Sequence, residues 1–127
     1  GKELVARIAN RAGSLADLSK MVAERGLNTL AMSAWVENGD AVVRLVTDDT
    51  LRTSDVLREH DYDVEERDVV LVDAAHKPGA LRHLTDILAK EDINLTHLFG
   101  SATIEQDRCL VVFNSSNNER AIVLLNR

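Results

Sequence analysis

The sequence predicts an α+β chain of two tandem βαββαβ units, each an antiparallel sheet with its helices on one face, the second lacking its last strand. Two observations carry this. A loop and the helix it opens occur twice: Asn10-Arg11-Ala12-Gly13-Ser14-Leu15 returns as His76-Lys77-Pro78-Gly79-Ala80-Leu81. Gly13/Gly79, Leu15/Leu81, Leu18/Leu84, Leu27/Ile93 and Asn28/Asn94 are each separated by 66 positions, so one unit has been used twice. The strand and helix patterns around the two copies also follow the same order.

Leu4 to Ala9 reads as a short strand that Asn10–Gly13 breaks. Ser14 is the expected N-cap of the first helix, with Asp17 in a capping-box place. Leu15, Leu18, Met21 and Val22 form its apolar face, and Gly26 suits a left-handed C-cap. Leu27 to Val36 is the next strand, with Leu30, Met32, Ala34 and Val36 on one side. Asn38-Gly39 is the strongest short hairpin signal in the chain and leads into a strand over Ala41 to Thr47. Asp48-Asp49-Thr50 caps a helix to about His60 with Leu51, Val56 and Leu57 as its buried positions. Val64 to Arg67 is the last, exposed strand of the unit.

No Gly- or Pro-rich linker follows, so the domains are expected at 1–68 and 69–127. Val69 to Ala74 opens the second unit. Its first helix runs from Ala80 to about Glu91 with Leu81, Leu84, Ile87 and Leu88 inward. Ile93 to Ile104 and Cys109 to Asn114 are strands around a looser turn at Glu105–Arg108. Ser116–Glu119 caps a last helix with Ala121, Ile122, Leu124 and Leu125 inward. Two strand–helix–strand crossovers in one antiparallel sheet make the ferredoxin-like arrangement. Its last strand lies beside its first, so the second unit is expected to be completed by chain beyond Arg127 or by another covering element.

Composition narrows the function. The chain has 127 residues, 45% hydrophobic and 28% charged, with a formal net charge of −6, which argues against nucleic acid as a partner. Aromatics are 3%, so stacking platforms are scarce. A single cysteine, Cys109, excludes an intrachain disulfide or a four-thiolate metal site and fits a reducing, cytoplasmic setting. No apolar run approaches the roughly 20 residues of a membrane span, so no membrane role is expected. His76, His83, His97 and Cys109 match no metal-ligand spacing, so neither metal nor cofactor is expected. No Ser-His-Asp, Cys-His or clustered-carboxylate set gathers on one site, so no catalysis is expected either. The first loops also lack the Cys-x-x-Cys of metal chaperones and a full phosphate cradle, and the central strands lack the aromatics of RNA binders.

The doubled loop resembles the signature of ACT domains, small ligand-binding regulatory modules of amino-acid metabolism. Asn-Arg-Ala-Gly-Ser-Leu followed by Val-Ala-Glu-Arg-Gly-Leu-Asn matches it once, and His-Lys-Pro-Gly-Ala-Leu followed by Leu-Ala-Lys-Glu-Asp-Ile-Asn matches it again. Ala12 stands where the family usually has Pro, and Asp92 where it usually has Gly. The resemblance implies a ligand held at the interface of paired domains, against the loop and the next strand. The candidate ligand residues are therefore Asn10, Arg11, Ala12, Gly13, Ser14, Leu15 and Asn28, with His76, Lys77, Pro78, Gly79, Ala80, Leu81 and Asn94.

Elementary chemistry agrees with that assignment. A helix start offers free N–H groups and partial positive charge to a carboxylate. Arg11 and Lys77 add charge, the asparagines add donors and acceptors, and Asp73 or Asp92 is available for an ammonium group. Each also has a plainer role. The glycines serve the turn whether or not anything binds, the asparagines can satisfy backbone where helix meets strand, and the two cations can be solvated. Trp35 and Tyr62 are expected to pack, and Asp17 and Asp86 to sit in helix starts and turns. The expectation is a small non-catalytic sensor of an amino acid or similar effector, acting as a homodimer. The alternative is a regulatory subunit that contacts an amino-acid metabolic enzyme without a ligand of its own.

Overall fold

The computed structural model describes residues 1–75, 77–103 and 107–126. The chain forms β1 (Lys2–Ala9), α1 (Ser14–Glu24), β2 (Thr29–Glu37), β3 (Asp40–Thr47), α2 (Thr50–Glu59), β4 (Asp63–Asp68), β5 (Val70–Ala75), α3 (Ala80–Lys90), β6 (Leu95–Thr103), β7 (Arg108–Ser115) and α4 (Asn118–Leu125). It divides into two compact units, Lys2–Arg67 and Asp68–Arg127, the latter including Gly1. The first is a βαββαβ arrangement and the second a βαββα one, with antiparallel pairing, as the repeat predicts.

In the first unit the strand order is β2-β3-β1-β4. Leu4, Ala6 and Ile8 leave β1 on one face and meet Val43 and Leu45 of β3, Leu18 and Val22 of α1, and Val56 and Leu57 of α2. Period-2 strands and period-3.6 helices thus bury one stripe each against a single core. Asn38 and Gly39 take φ of 53° and 85° between the paired Glu37 and Asp40, the two positive φ values of a type I′ hairpin.

The β2 pattern needs one correction. Thr29 pairs with Thr47 but Ala31 with Val46, so Leu30 is the extra residue of a bulge and turns outward, 44% exposed. Met32 keeps its place on the core. The second unit repeats the device at Thr96, between Leu95↔Ser115 and His97↔Asn114, 66 positions on.

The helix starts differ from expectation in an informative way. Gly13, not Ser14, is the N-cap of α1, at φ 92° and without a side-chain cap, and Gly79 does the same for α3 at φ 86°. By contrast Asp49 accepts the Arg52 N–H at 3.1 Å to cap α2, and Asn117 accepts the Arg120 N–H at 3.1 Å to cap α4. Leu51 is 73% exposed, because α2 presents Thr53 inward instead, where its Oγ1 lies 2.7 Å from Thr47 Oγ1 and donates to the Asp49 carbonyl at 2.8 Å. Leu81 and Ile122 are likewise exposed, since Leu84 and Leu88, and Ala121 and Leu124, fill the second core.

Three helices close with one motif. The N–H of Leu27, Tyr62 and Ile93 reaches back to the carbonyl of Val22, Leu57 and Leu88, over Gly26, Asp61 and Asp92 in the left-handed region. Asp92 at φ 56° thus does for α3 what Gly26 does for α1. Asp92→Gly should therefore raise stability by about 0.5–1 kcal/mol, read from a urea melt, because it relieves a left-handed residue with a side chain. A lower midpoint would mean that the Asp92 side chain itself holds the turn.

In the second unit the order is β5-β7-β6. Phe113 anchors a core with Val70, Leu84, Leu88, Ile93, Val111, Ala121 and Leu124. Among the described residues nothing pairs with β5 on the side where β4 pairs with β1 in the first unit. Glu105 and Gln106 of the expected turn at Glu105–Arg108 lie outside the described residues, while Asp107 takes φ of 48° and Arg108 opens β7.

Candidate functional site

The two repeated loops have the same internal wiring. The N–H groups of Arg11, Ser14 and Asp17 donate to the carbonyls of Ala9, Arg11 and Gly13 at 3.0, 3.3 and 2.9 Å. Those of Lys77, Ala80 and His83 donate to Ala75, Lys77 and Gly79 at 3.1, 3.3 and 2.9 Å. A Cβ built on Gly13 would meet only the Arg11 Nη1, at 3.9 Å, and one on Gly79 would meet nothing within 4 Å. The glycines are required by backbone conformation rather than by crowding, and the space beside them is open. Among the described residues no side chain caps either helix start, where the N–H groups of Leu15 and Ala16, and of Leu81 and Arg82, have no intrahelical acceptor. The helices that follow the loops are left uncapped, while α2 and α4 are capped by their own side chains.

The surrounding side chains divide by role. Asn10, Arg11 and Ala12 are exposed, as are Lys77, Pro78 and Gly79, while Ala80 is half-buried. Arg11 turns back on its own loop, donating to the Ala12 carbonyl at 3.4 Å and lying 3.6 Å from Asp17. Ser14 is buried with its Oγ unpartnered. Leu15 and Leu81 stand exposed at the helix starts. His76 lies outside the described residues.

Asn28 and Asn94 do not join their loops. They lie past the far end of α1 and α3, 11-residue helices about 16 Å long. There the Asn28 main chain exchanges bonds with Asp48, N–H to Oδ1 at 3.1 Å and carbonyl from N–H at 3.1 Å. The Asn94 main chain does so with Ser116, at 3.0 and 2.9 Å. Asp73 accepts from Arg108 Nε at 3.0 Å, and Asp92 closes α3.

The loops open on unequal clefts. Beside Arg11 and Ser14 the cleft is about 230 Å³, narrowed by His60 and Tyr62 on the way into β4. Beside Lys77 and Gly79 it is about 550 Å³ and floored by Val72, Ile87 and Leu124, because the second unit has no described counterpart of Tyr62 and β4. Among the described residues no three His, Cys, Asp or Glu side chains gather as a metal site, and no helix is long and apolar enough to cross a membrane.

Sequence reasoning missed one cluster. Glu3 is fully buried, and its Oε1 accepts from Arg44 Nη1 at 2.9 Å. Burial raises its carboxyl pKa above the ordinary 4.5, against the pull of Arg44 and Arg67. Arg44 also lies over the Trp35 ring, 5.4 Å from its centroid. The available signal was the charged, apolar, charged alternation of Glu3, Val5 and Arg7 opposite the core-facing residues of β1.

Comparison with known families matches residues 2–127 to an ACT domain pair. No curated protein sequence matches. Among solved structures, a protein of Bacteroides thetaiotaomicron superposes with a TM-score of 0.90 at 22% identity, covering 99% of this chain and 86% of that one. The ligand-free regulatory subunit of aspartate kinase from Thermus thermophilus gives 0.70 at 17% identity, covering 98% and 90%. Aspartate kinase from Synechocystis gives 0.64 at 18%, with 98% of this chain lying on 24% of that one. At these identities the likeness is one of fold.

Proposed function

The chain belongs to the ACT domain pair family, and from that premise we propose that it is a non-catalytic regulatory protein that senses an amino acid or similar small effector at its Gly13 and Gly79 loops. The observation that carries this is the duplicated helix start: a left-handed glycine with open space beside it and no side-chain cap on the first turn, twice. Such a start suits the carboxylate of an amino acid. Arg11 or Lys77 supplies positive charge beside it. The solved structure of an aspartate kinase regulatory subunit supports a regulatory reading for this fold.

Because Asn28 and Gly13 lie at opposite ends of α1, a ligand that touches both a loop and the start of a β2-type strand fits best between two copies of the chain. This favours a homodimer whose seams hold the effector, in the cytoplasm where amino-acid metabolism runs. The signal is then a change in association, which requires the ligand to bind one association state better than the other. A second reading, docking on a metabolic enzyme without a ligand, is favoured by the apolar floor of the Gly79 cleft.

Thermal-shift screening against the twenty amino acids separates the two. A ligand at 100 times its Kd should add about 2.7 kcal/mol, a shift of several degrees. Gly13→Val forces a β-branched residue to φ 92° and should abolish the response of the first loop, and Gly79→Val that of the second. No shift with any amino acid, together with recovery of one enzyme in a pull-down, would sink the sensor and favour the docking reading.

A further inference from the structure

The first unit carries a second cluster, away from its loop. On the sheet face opposite α1 and α2, Arg7 of β1 pairs with Val42 of β3, which pairs with Trp35 of β2. One row along, Val5 pairs with Arg44. Arg7 and Arg44 are therefore diagonal neighbours, about 7–8 Å apart. A cleft of about 260 Å³ opens between them, with Trp35 and Glu37 on one side and Arg67 on the other.

The charges there are not what the fold needs. Register places Val112 opposite Leu71 in the second unit as Arg44 stands opposite Val5 in the first, and Val69 falls 66 positions after Glu3. The same two places in the repeat thus hold Val69 and Val112, both buried, where the first unit buries an ion pair. An apolar pair is at least as stable at such a site. The ion pair is also incomplete. Arg44 Nε and Glu3 Oε2 are buried without partners, although Glu3 is fully enclosed. Arg7 has no ion-pair partner among the described residues.

We propose that this face of the first unit binds a small carboxylate ligand, held between Arg7 and Arg44 beside the Trp35 ring. Two guanidinium forks on a diagonal suit a planar oxyanion. The cleft takes only a small molecule. Glu37, Asp63 and Glu65 around its rim repel a polyanion and leave acceptors for an ammonium group. Glu3 is a positioning residue, fixing Arg44 from beneath through the 2.9 Å bond. This site does not depend on the loop reading.

Trp35 is the only tryptophan, so its fluorescence and its indole N–H resonance report on this cleft without ambiguity. The full chain is titrated with malonate, and separately with inorganic phosphate, at constant ionic strength. Malonate should give a saturable change. Arg7→Ala, at an exposed position, should weaken it about tenfold or more. The pair Glu3→Val and Arg44→Val, copying the second unit, should abolish it while the melting temperature is kept or raised. Gly13→Val should leave it intact, which separates this site from the loop. A change that never saturates, equal affinity in Arg7→Ala, or tighter binding of phosphate than of malonate would overturn the assignment.

Discussion

Arg44→Val alone should destabilise the first unit by about 3–5 kcal/mol, while Glu3→Val with Arg44→Val should recover most or all of the loss. The single change leaves a carboxylate in a fully buried place without its 2.9 Å partner, with only the weaker pull of Arg67 remaining. The double change leaves two β-branched apolar residues where the repeat already has Val69 and Val112. The pH dependence follows from the burial that lifts the Glu3 pKa above 4.5. The folded chain then holds this proton more tightly than the unfolded one, so the stability it contributes is complete below pH 4.5 and is lost as pH rises through the raised native value. Removing Arg44 takes away a force that lowers that value. The single variant should therefore be least impaired in acid and most impaired at neutral pH. Urea melts at a pH below 4.5 and at neutrality measure both effects. A double variant as unstable as the single one would show that the valines of the second unit cannot stand in for the pair.

Phe113→Ala should cost the second unit a similar amount, about 3–5 kcal/mol. Phe113 is fully buried and is the largest of the fully buried side chains. It pairs with Val70 on one side and Leu98 on the other, at the place that Leu45 fills in the first unit. A three-stranded sheet, the order among the described residues, has little other packing to compensate. Phe113→Leu should cost far less, about 1–1.5 kcal/mol, because Leu is what the repeat uses there. Hydrogen exchange of the β5 and β7 amides distinguishes the outcomes. Protection that survives Phe113→Ala would mean that the core is held elsewhere.

The two units were legible because their signals are local. Asn38-Gly39 permits a tight turn with both φ values positive, whatever surrounds it. Gly26 and Asp92 fall where a left-handed residue must close a helix, and Asp49 and Asn117 where a side chain can cap one. Leu51, Leu81 and Ile122 are exposed because helical periodicity marks a broad apolar stripe, whereas the core admits only its centre. Ser14 does not cap α1 because Gly13, already left-handed, takes that position first. The Leu30 and Thr96 bulges left no trace in the pattern, because a bulge is a mismatch between two strands rather than a property of one.

The same division holds for function. The sequence by itself determined that one unit is used twice and that each copy opens a helix from a glycine turn. These follow from residue types at fixed spacing. Only the tertiary structure decided that Asn28 and Asn94 lie at the far ends of the helices from Gly13 and Gly79, that α1 and α3 start uncapped, and that Glu3, Arg44, Arg7 and Trp35 share one sheet face. Those positions are set by strand pairing and helix length. Strand register joins residues dozens of positions apart, and an 11-residue helix separates residues that the motif places side by side.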